Sequence, residues 1–241
     1  MRKIGLMDQN LRRKIICAID TGNLDEALAI VHRLKDWVGA FKIGHALTLP
    51  NGLSVVDRLK DAGADRIFLD LKLHDIPNSV GVGIREISKH GVWMTTLHLS
   101  GGPAMITAAV EEAAAYGEGN RPLLVGVSVL TSLDQSNLTN DLGISRTIVE
   151  QAEHLSRMGI ECGLDGVVTS VEECAHLRKA LGHSILVVPG IRPSTGEVQD
   201  QVRVGDGRTA ISLGADYLVI GRALAGHQDP GKALNELGFD V

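Results

Sequence analysis

Short apolar runs alternate with longer amphipathic segments along the whole chain, and this alternation restricts the fold more than any other feature. Helical patterns such as 24–34 and 144–158 separate the runs. Strands that alternate with helices of this size indicate βαβ units and a parallel sheet. Eight runs have the character of buried strands: residues 14–20, 40–44, 65–71, 94–99, 123–129, 166–169, 185–188 and 217–221.

A recurring connector marks the joints between these units. Gly63-Ala64-Asp65, Gly163-Leu164-Asp165 and Gly214-Ala215-Asp216 each end a helical pattern and precede a strand, and His90-Gly91-Val92 is a looser version. Glycine suits the left-handed conformation that ends many helices. The repeat therefore supports the count of βα units and indicates nothing about chemistry.

No linker, low-complexity tract or change of composition divides the 241 residues. Eight βα units without a break predict an α/β fold of the (β/α)8 TIM-barrel type, with residues 1–241 as a single domain. An open doubly wound sheet is the alternative, but no Gly-x-Gly-x-x-Gly follows the first strand. Apolar residues make up 44% of the chain and aromatic residues only 3%, which suits strands that are buried on both faces.

Composition also argues against several classes of function. The formal net charge is −5 and no basic stripe is present, so we expect no nucleic-acid partner. The cysteines Cys17, Cys162 and Cys174 form no C-x-x-C pair, which argues against a disulfide framework or a structural zinc site. The N-terminus lacks a signal-peptide pattern, and no window approaches ~18 consecutive apolar residues. We therefore expect a cytoplasmic protein with no membrane partner.

Charged residues collect where the strands end, which is where barrels of this type carry their catalytic groups. Asp70 and Lys72 lie two residues apart on the third strand and are expected on one face. Lys42 on the neighbouring strand and Asp75 just beyond the third strand extend this set, and Asp20 ends the first strand. A structural salt-bridge cluster is the alternative, but five charges at this end favour catalysis.

The histidines give weaker signals. His74 and His98 fall near strand ends, but neither belongs to an H-E-x-x-H or similar pattern, so no metal site is predicted. No nucleophile elbow or Cys/His pairing stands out. The chemistry is therefore expected to depend on lysine and aspartate, through proton transfer or electrostatic stabilisation.

The last two strands run into loops that suit a phosphate group, which in many barrels lies at this place. Gly190 and Arg192 follow the seventh strand, and Gly221 and Arg222 follow the eighth. Each loop thus offers backbone N–H groups and a guanidinium. Gln201 lies in a polar stretch that we interpret as a lid. Solvated surface arginines are the alternative, but the paired pattern favours phosphate binding.

Taken together, these residues resemble the orotidine 5′-monophosphate decarboxylase family. Residues 70–80, which read DLKLHDIPNSV, are similar to the family's D-x-K-x-x-D-I-P-N signature. The chain departs from the family pattern at residues 204–208, where members usually carry a Thr-Pro turn, and at Ala223, where they often have proline. The likeness spans nearly the whole chain, at Asp20 and at residues 41–44, 98–102, 127–132, 189–192, 200–201, 214–216 and 220–222.

The resemblance implies a cofactor-free decarboxylation of orotidine 5′-monophosphate to uridine 5′-monophosphate in pyrimidine biosynthesis. Lys72 would deliver the proton that replaces carbon dioxide, and Asp70 would lie beside the substrate carboxylate. Asp20 and Lys42 would contact the ribose. Asp75 would reach across the interface of a homodimer to a ribose hydroxyl in the partner's site.

The resemblance also implies contacts for the base and the phosphate. Ser128 would meet the pyrimidine edge, with Thr131 in the same segment among the substrate-binding residues. Gln201 would bridge base and phosphate. The backbone N–H groups of Gly221 and Arg222, together with the Arg222 side chain, would hold the phosphate, and Arg192 would contribute from its loop.

Two alternative functions stay open at this point. Barrels that act on sugar phosphates, such as 3-keto-gulonate 6-phosphate decarboxylase and hexulose phosphate synthase, share D-x-K-x-x-D but are metal-assisted. The continuation Ile76-Pro77-Asn78 argues against them. The other alternative is a catalytically silent nucleotide-binding barrel, which would have no need for the charges at the strand ends.

Overall fold

Eight parallel strands close into a barrel in the computed structural model, which describes residues 8–117, 119–192, 205–239 and 241. The strands follow one another in sequence order, and the last one pairs with the first. This confirms the predicted (β/α)8 fold. The strands are β1 Ile15–Ile19, β2 Ala40–Gly44, β3 Ile67–Leu73, β4 Met94–His98, β5 Leu123–Val127, β6 Gly166–Val168, β7 Ile185–Val188 and β8 Tyr217–Ile220.

Helices fill every connection between successive strands. In the described part of the chain, no helix is both long and apolar enough to cross a membrane. The helices are α1 Gln9–Lys14, α2 Leu24–Leu34, α3 His45–Asn51, α4 Val55–Asp61, α5 Pro77–Lys89, α6 Gly102–Ala114, α7 Ile148–Glu161, α8 Val171–Leu181, α9 Gly207–Ser212, α10 Arg222–Ala225 and α11 Pro230–Glu236.

The predicted elements agree with the observed ones except near their ends. The predicted runs 40–44 and 185–188 coincide with β2 and β7, whereas β3 lies two residues later than 65–71. The predicted helix 144–158 is wrong at both ends, because α7 spans Ile148–Glu161. It begins after Thr147 and continues beyond residue 158. The Thr147 hydroxyl accepts from the backbone N–H of Glu150, and the Glu150 carboxylate accepts from that of Thr147. This capping box fixes where the helix starts.

The repeated connectors behave as the sequence predicts. Gly63, Gly163 and Gly214 have φ values of 106°, 100° and 102°, in the left-handed region that glycine tolerates. The aspartates that follow two of them add a second function. Asp165 accepts a hydrogen bond from the backbone N–H of Leu124 in β5, and Asp216 accepts one from Leu186 in β7. These carboxylates tie neighbouring strands together at the amino end of the barrel.

The barrel interior is apolar in its lower part. One buried side chain from each of seven strands joins a cluster separate from the larger core beneath the helices. Trp93 and Tyr217 meet edge to face near the amino ends of the strands, and the Arg66 guanidinium lies 4.3 Å from the Trp93 ring centre. The seven are Ile16, Ala40, Phe68, Met94, Val125, Val187 and Val219. The charged side chains of the barrel interior lie instead at the carboxyl end of the strands.

Candidate active site

A cavity of about 310 Å³ lies at the carboxyl end of the barrel. That volume is within the range of small-ligand sites, at its lower end. Its apolar wall includes Phe68 and Val187. Of the residues predicted to bind substrate or to catalyse, the lining includes Asp20, Lys42, Asp70, Lys72, Thr131, Arg192, Gly221 and Arg222. The charged members are four cations and two carboxylates, so the lining favours a ligand with more than one negative charge.

Asp70 is the centre of the charged cluster. Its Oδ2 atom lies 3.1 Å from Nζ of Lys42 and 2.9 Å from Nζ of Lys72. Burial alone would raise the pKa of the Asp70 carboxyl. The charges of the two lysines and the hydrogen bonds from Lys72 and Thr96 outweigh that effect and lower the pKa below its ordinary value. Asp70 is therefore a carboxylate at neutral pH, although only 8% of the residue is exposed.

The backbone of β3 becomes irregular where these charges lie. Leu69 pairs with Thr95 of β4, but the next pair is Leu73 with Leu97, so β3 uses four residues where β4 uses two. Lys72 has a φ of 50° and is the one non-glycine residue with positive φ in the described part of the chain. The left-handed conformation costs an ordinary residue about 1–2 kcal/mol. Asp70 and Lys72 thus meet through a bulge and not through regular alternation.

Thr96 of β4 fills the gap that this bulge leaves. Its Oγ1 atom accepts a hydrogen bond from the backbone N–H of Lys72 at 2.9 Å and donates one to Oδ1 of Asp70 at 2.8 Å. The residue is fully buried. The sequence prediction did not include it, because a buried threonine in a strand such as Met94–His98 also suits the core. Its position two residues before the strand-end His98 was the available signal.

The two histidines near the cluster form a pair. The ring centres of His74 and His98 are 5.4 Å apart. The pKa of His98 is lowered, first by partial burial and then by the positive charges of His74 and Lys72, with Asp70 acting in the opposite direction. His98 therefore favours its neutral form. The described residues contain no group of three or more His, Cys, Asp or Glu side chains that could hold a metal ion.

Asp75 is exposed and does not line the cavity of its own chain. Its Oδ1 atom accepts from the backbone N–H of Ile76 at 2.6 Å. Within the described part of one chain, Lys72 pairs with Asp70 and forms no ion pair with Asp75. Two large apolar side chains that follow Asp75 in sequence are also exposed, Ile76 at 66% and Val82 of α5 at 39%.

Ser128 lies between two residues that line the cavity, Val127 and Val129, but is not itself part of the lining. Its hydroxyl is buried and has no hydrogen-bond partner among the described residues. Arg192 lines the cavity, and its backbone N–H donates to the Gly205 carbonyl at 3.0 Å. Gln201 lies outside the described residues.

The loop after β8 brings Gly221 and Arg222 to the cavity. A Cβ atom at Gly221 would lie 4.0 Å from Cβ of Ala18, an ordinary contact, so neighbouring side chains do not fill the space at this glycine. Arg222 begins the short helix α10, and the guanidinium of Arg33 donates to the carbonyl of Ala225 at the other end of that helix. The phosphate-binding loop predicted here is therefore open towards the cavity.

Known proteins resemble the chain over nearly its full length. A family model described as Orotidine 5′-phosphate decarboxylase / HUMPS family matches residues 13–237. The orotidine 5′-phosphate decarboxylase of Enterobacter sp. (strain 638) is 41% identical over 228 residues, which cover 94% of this chain and 92% of that protein. The enzyme of the same name from Salmonella gallinarum is 40% identical over 228 residues with the same coverage.

Solved structures show the same likeness. The orotidine 5′-phosphate decarboxylase of Lactobacillus acidophilus aligns with a TM-score of 0.79 and 32% identity, covering 94% of this chain and 97% of that one. An uncharacterized conserved protein from Geobacillus kaustophilus aligns with a TM-score of 0.79 and 33% identity, covering 93% and 98%.

Proposed function

The chain belongs to the Orotidine 5′-phosphate decarboxylase / HUMPS family, and on that basis we propose that it converts orotidine 5′-monophosphate to uridine 5′-monophosphate and carbon dioxide in pyrimidine biosynthesis. The observation that carries the proposal is the Lys42–Asp70–Lys72 cluster at the wall of the cavity. A barrel that only bound nucleotides would have no use for an ammonium group held there by a buried carboxylate.

The chemistry requires a charge to be stabilised at C6 of the pyrimidine. When the bond from C6 to the carboxylate breaks, its electron pair stays on C6 in an orbital that the ring does not delocalise. A fixed ammonium beside C6 stabilises that charge and then donates its proton to C6. Lys72 takes this role, and its neutral amine regains a proton from solvent. No cofactor is required in this scheme.

Asp70 has two roles in the proposal. It holds the Lys72 ammonium through contacts of 2.9 and 3.0 Å, which keeps that group in place before substrate arrives. Its negative charge also lies beside the position of the substrate carboxylate. The repulsion between the two disappears as carbon dioxide leaves, so it raises the energy of the bound substrate more than that of the transition state.

The rest of the cavity binds the remainder of the nucleotide. Asp20 and Lys42 contact the ribose, while Ser128 and Thr131 lie on the side of the base. The place of Ser128 rests on the family resemblance and on its position between the lining residues Val127 and Val129. The phosphate is held by Gly221, Arg222 and Arg192, with Gln201 between phosphate and base. Phosphate binding far from C6 supplies energy for positioning the base.

The active form in this proposal is a homodimer in the cytoplasm, each chain being one domain, with Asp75 shared across the interface. Asp75 does not line the cavity of its own chain, and the exposed Ile76 and Val82, which follow it in sequence, are apolar side chains that a second copy could cover. Each site would then be completed by Asp75 of the other chain. A fourth charge would be added to the Lys42–Asp70–Lys72 cluster, alternating with the first three.

One assay tests the proposal against the metal-assisted members of the family. Purified full-length protein is mixed with orotidine 5′-monophosphate in the presence of EDTA, and the loss of substrate absorbance is followed. We expect turnover at the same rate with and without EDTA, with uridine 5′-monophosphate as product by chromatography. No turnover contradicts the proposal. Turnover that EDTA removes and Mg²⁺ restores would place the chain with the metal-assisted enzymes.

A further inference from the structure

We propose that Thr96 is a positioning residue for this reaction, because its single hydroxyl group fixes both the backbone of Lys72 and the carboxylate of Asp70. The inference rests on the proposed function and adds to it a residue that touches neither the substrate nor the proton in transit. It stands on two hydrogen bonds of 2.9 and 2.8 Å at a fully buried side chain.

The first bond concerns the backbone of Lys72. Regular pairing between β3 and β4 stops at Leu69 and resumes at Leu73, so the N–H of Lys72 does not belong to the regular ladder. A buried N–H needs a partner. Here the partner is Oγ1 of Thr96, a side-chain atom that takes the place of a ladder carbonyl. The bond therefore helps to hold Lys72 at its φ of 50°, which sets where the side chain starts.

The second bond concerns the plane of the Asp70 carboxylate. A hydroxyl has one proton to donate, and the Thr96 proton goes to Oδ1 at 2.8 Å. Lys72 also contacts Oδ1 at 3.0 Å, while Oδ2 receives Lys72 at 2.9 Å and Lys42 at 3.1 Å. Each carboxylate oxygen thus has two donors, and without Thr96 the two ammonium groups alone would set the plane. Thr96 therefore contacts both the backbone from which the Lys72 side chain extends and the Asp70 carboxylate that accepts from the Lys72 ammonium.

A neighbour on the same strand provides a matched control. Thr95 is as deeply buried as Thr96, but its hydroxyl donates to the backbone carbonyl of Leu69 at 2.8 Å. It makes none of the contacts with the charged cluster. Thr95→Val and Thr96→Val therefore remove the same group at the same depth, and only the second change touches Asp70 and Lys72.

The experiment compares steady-state kinetics of four variants on orotidine 5′-monophosphate. We expect Thr96→Val to lower kcat about 100-fold with KM within about twofold, since misplacing a reacting group by an ångström costs that much. Thr96→Ser, which keeps the hydroxyl, stays within about fivefold of the natural chain. Thr95→Val keeps its kcat and shows only a lower Tm. Thr96→Cys, with a weak donor of similar size, falls in between and carries the test if the valine variant does not fold.

A second measurement does not depend on turnover. The Asp70 carboxyl is titrated by carbon-13 NMR in the free protein, with Asp70→Asn to assign its signal. Because the Thr96 bond favours the charged form, its loss in Thr96→Val raises the pKa of Asp70, and Thr95→Val leaves that pKa unchanged. An unchanged Asp70 pKa in Thr96→Val contradicts the proposal, and so does a serine variant as slow as the valine variant.

The two proposals fail in different ways. If the natural chain turns over orotidine 5′-monophosphate and Thr96→Val does so equally fast, the positioning role of Thr96 is wrong and the proposed function stands. If the natural chain shows no turnover, the proposed function is wrong, and the positioning role for this reaction falls with it.

Discussion

Asp70 Oδ2 lies between two ammonium groups, 2.9 Å from Nζ of Lys72 and 3.1 Å from Nζ of Lys42. One carboxylate therefore balances only one of the two lysines, and the cluster within a single chain carries one excess positive charge. That excess faces the cavity. It suits an anionic substrate, and it leaves room for a further carboxylate from a second chain.

Removal of Lys72 should stop the reaction and spare binding. We expect Lys72→Ala to lower kcat at least about 1,000-fold, because it removes both the proton donor and the charge beside C6. Uridine 5′-monophosphate, measured by calorimetry, should still bind. Lys89→Ala on α5 serves as the control, since Lys89 pairs with Glu86 on the outer surface. Near-normal turnover in Lys72→Ala would exclude Lys72 as the proton donor.

Arg222 should act through the phosphate. We expect Arg222→Ala to lower kcat/KM for orotidine 5′-monophosphate about 10- to 100-fold, the magnitude of one or two lost hydrogen bonds to a charged group. The nucleoside orotidine, which lacks the phosphate, should lose less than about threefold on the same assay. The exposed Arg58 of α4 gives a control variant, Arg58→Ala. Equal losses for both substrates would contradict the phosphate role.

Asp75 should complement across subunits. A chain with Asp75→Asn and a chain with Lys72→Ala are each expected to be inactive alone. In a mixed dimer, one site combines the intact Lys72 of the first chain with the intact Asp75 of the second. Random mixing should therefore restore about a quarter of natural activity, measured after denaturing and refolding the two chains together.

The control for this mixture is a chain that carries both substitutions. Mixed with the Asp75→Asn chain, it supplies no intact Asp75, so no site should become active. Recovery in neither mixture would mean that Asp75 is not shared between subunits. Recovery in both would mean that Asp75 is dispensable.

His98 should make the protein less stable in mild acid. Its pKa in the folded state is lowered by partial burial and by the charges of His74 and Lys72. As pH falls below the ordinary histidine value of about 6.5, the unfolded chain binds the proton first, so the free energy of unfolding decreases towards the lowered pKa. We expect His98→Gln to have a shallower decrease in urea unfolding between about pH 6.5 and pH 5.

The exposed His154 of α7 provides the matched control. His154→Gln should show the same pH dependence as the natural chain. If His98→Gln also shows it, the pKa of His98 does not contribute to acid sensitivity.

The barrel could be predicted because each βα unit repeats the same local signals. Strand runs are apolar and short, helices show a single apolar face, and glycines such as Gly63 and Gly214 occupy positions where φ is positive. The charged strand ends could also be located, since Asp70 and Lys42 lie at the carboxyl ends of neighbouring strands. These are properties of residues close together in sequence or of strands next to one another.

The irregular part of the site could not be predicted. A positive φ is usually signalled by glycine or asparagine, and a lysine such as Lys72 carries no such signal. The role of Thr96 depends on the bulge and is invisible without it, since regular pairing would put another atom opposite the Lys72 N–H. The exact end of β3 was missed for the same reason, because the bulge lets the strand continue to Leu73.

The left-handed backbone of Lys72 also limits how this chemistry can be transplanted. An engineer who grafted an Asp-x-Lys tripeptide onto a regular strand of another barrel would reproduce the two charges but not their relative positions. The smallest unit that could be transferred is a pair of adjacent strands. One strand has the irregular register around Lys72, and the other provides the Thr96 hydroxyl that accepts from the Lys72 N–H. Searches for host scaffolds should therefore screen backbone shape before side-chain identity.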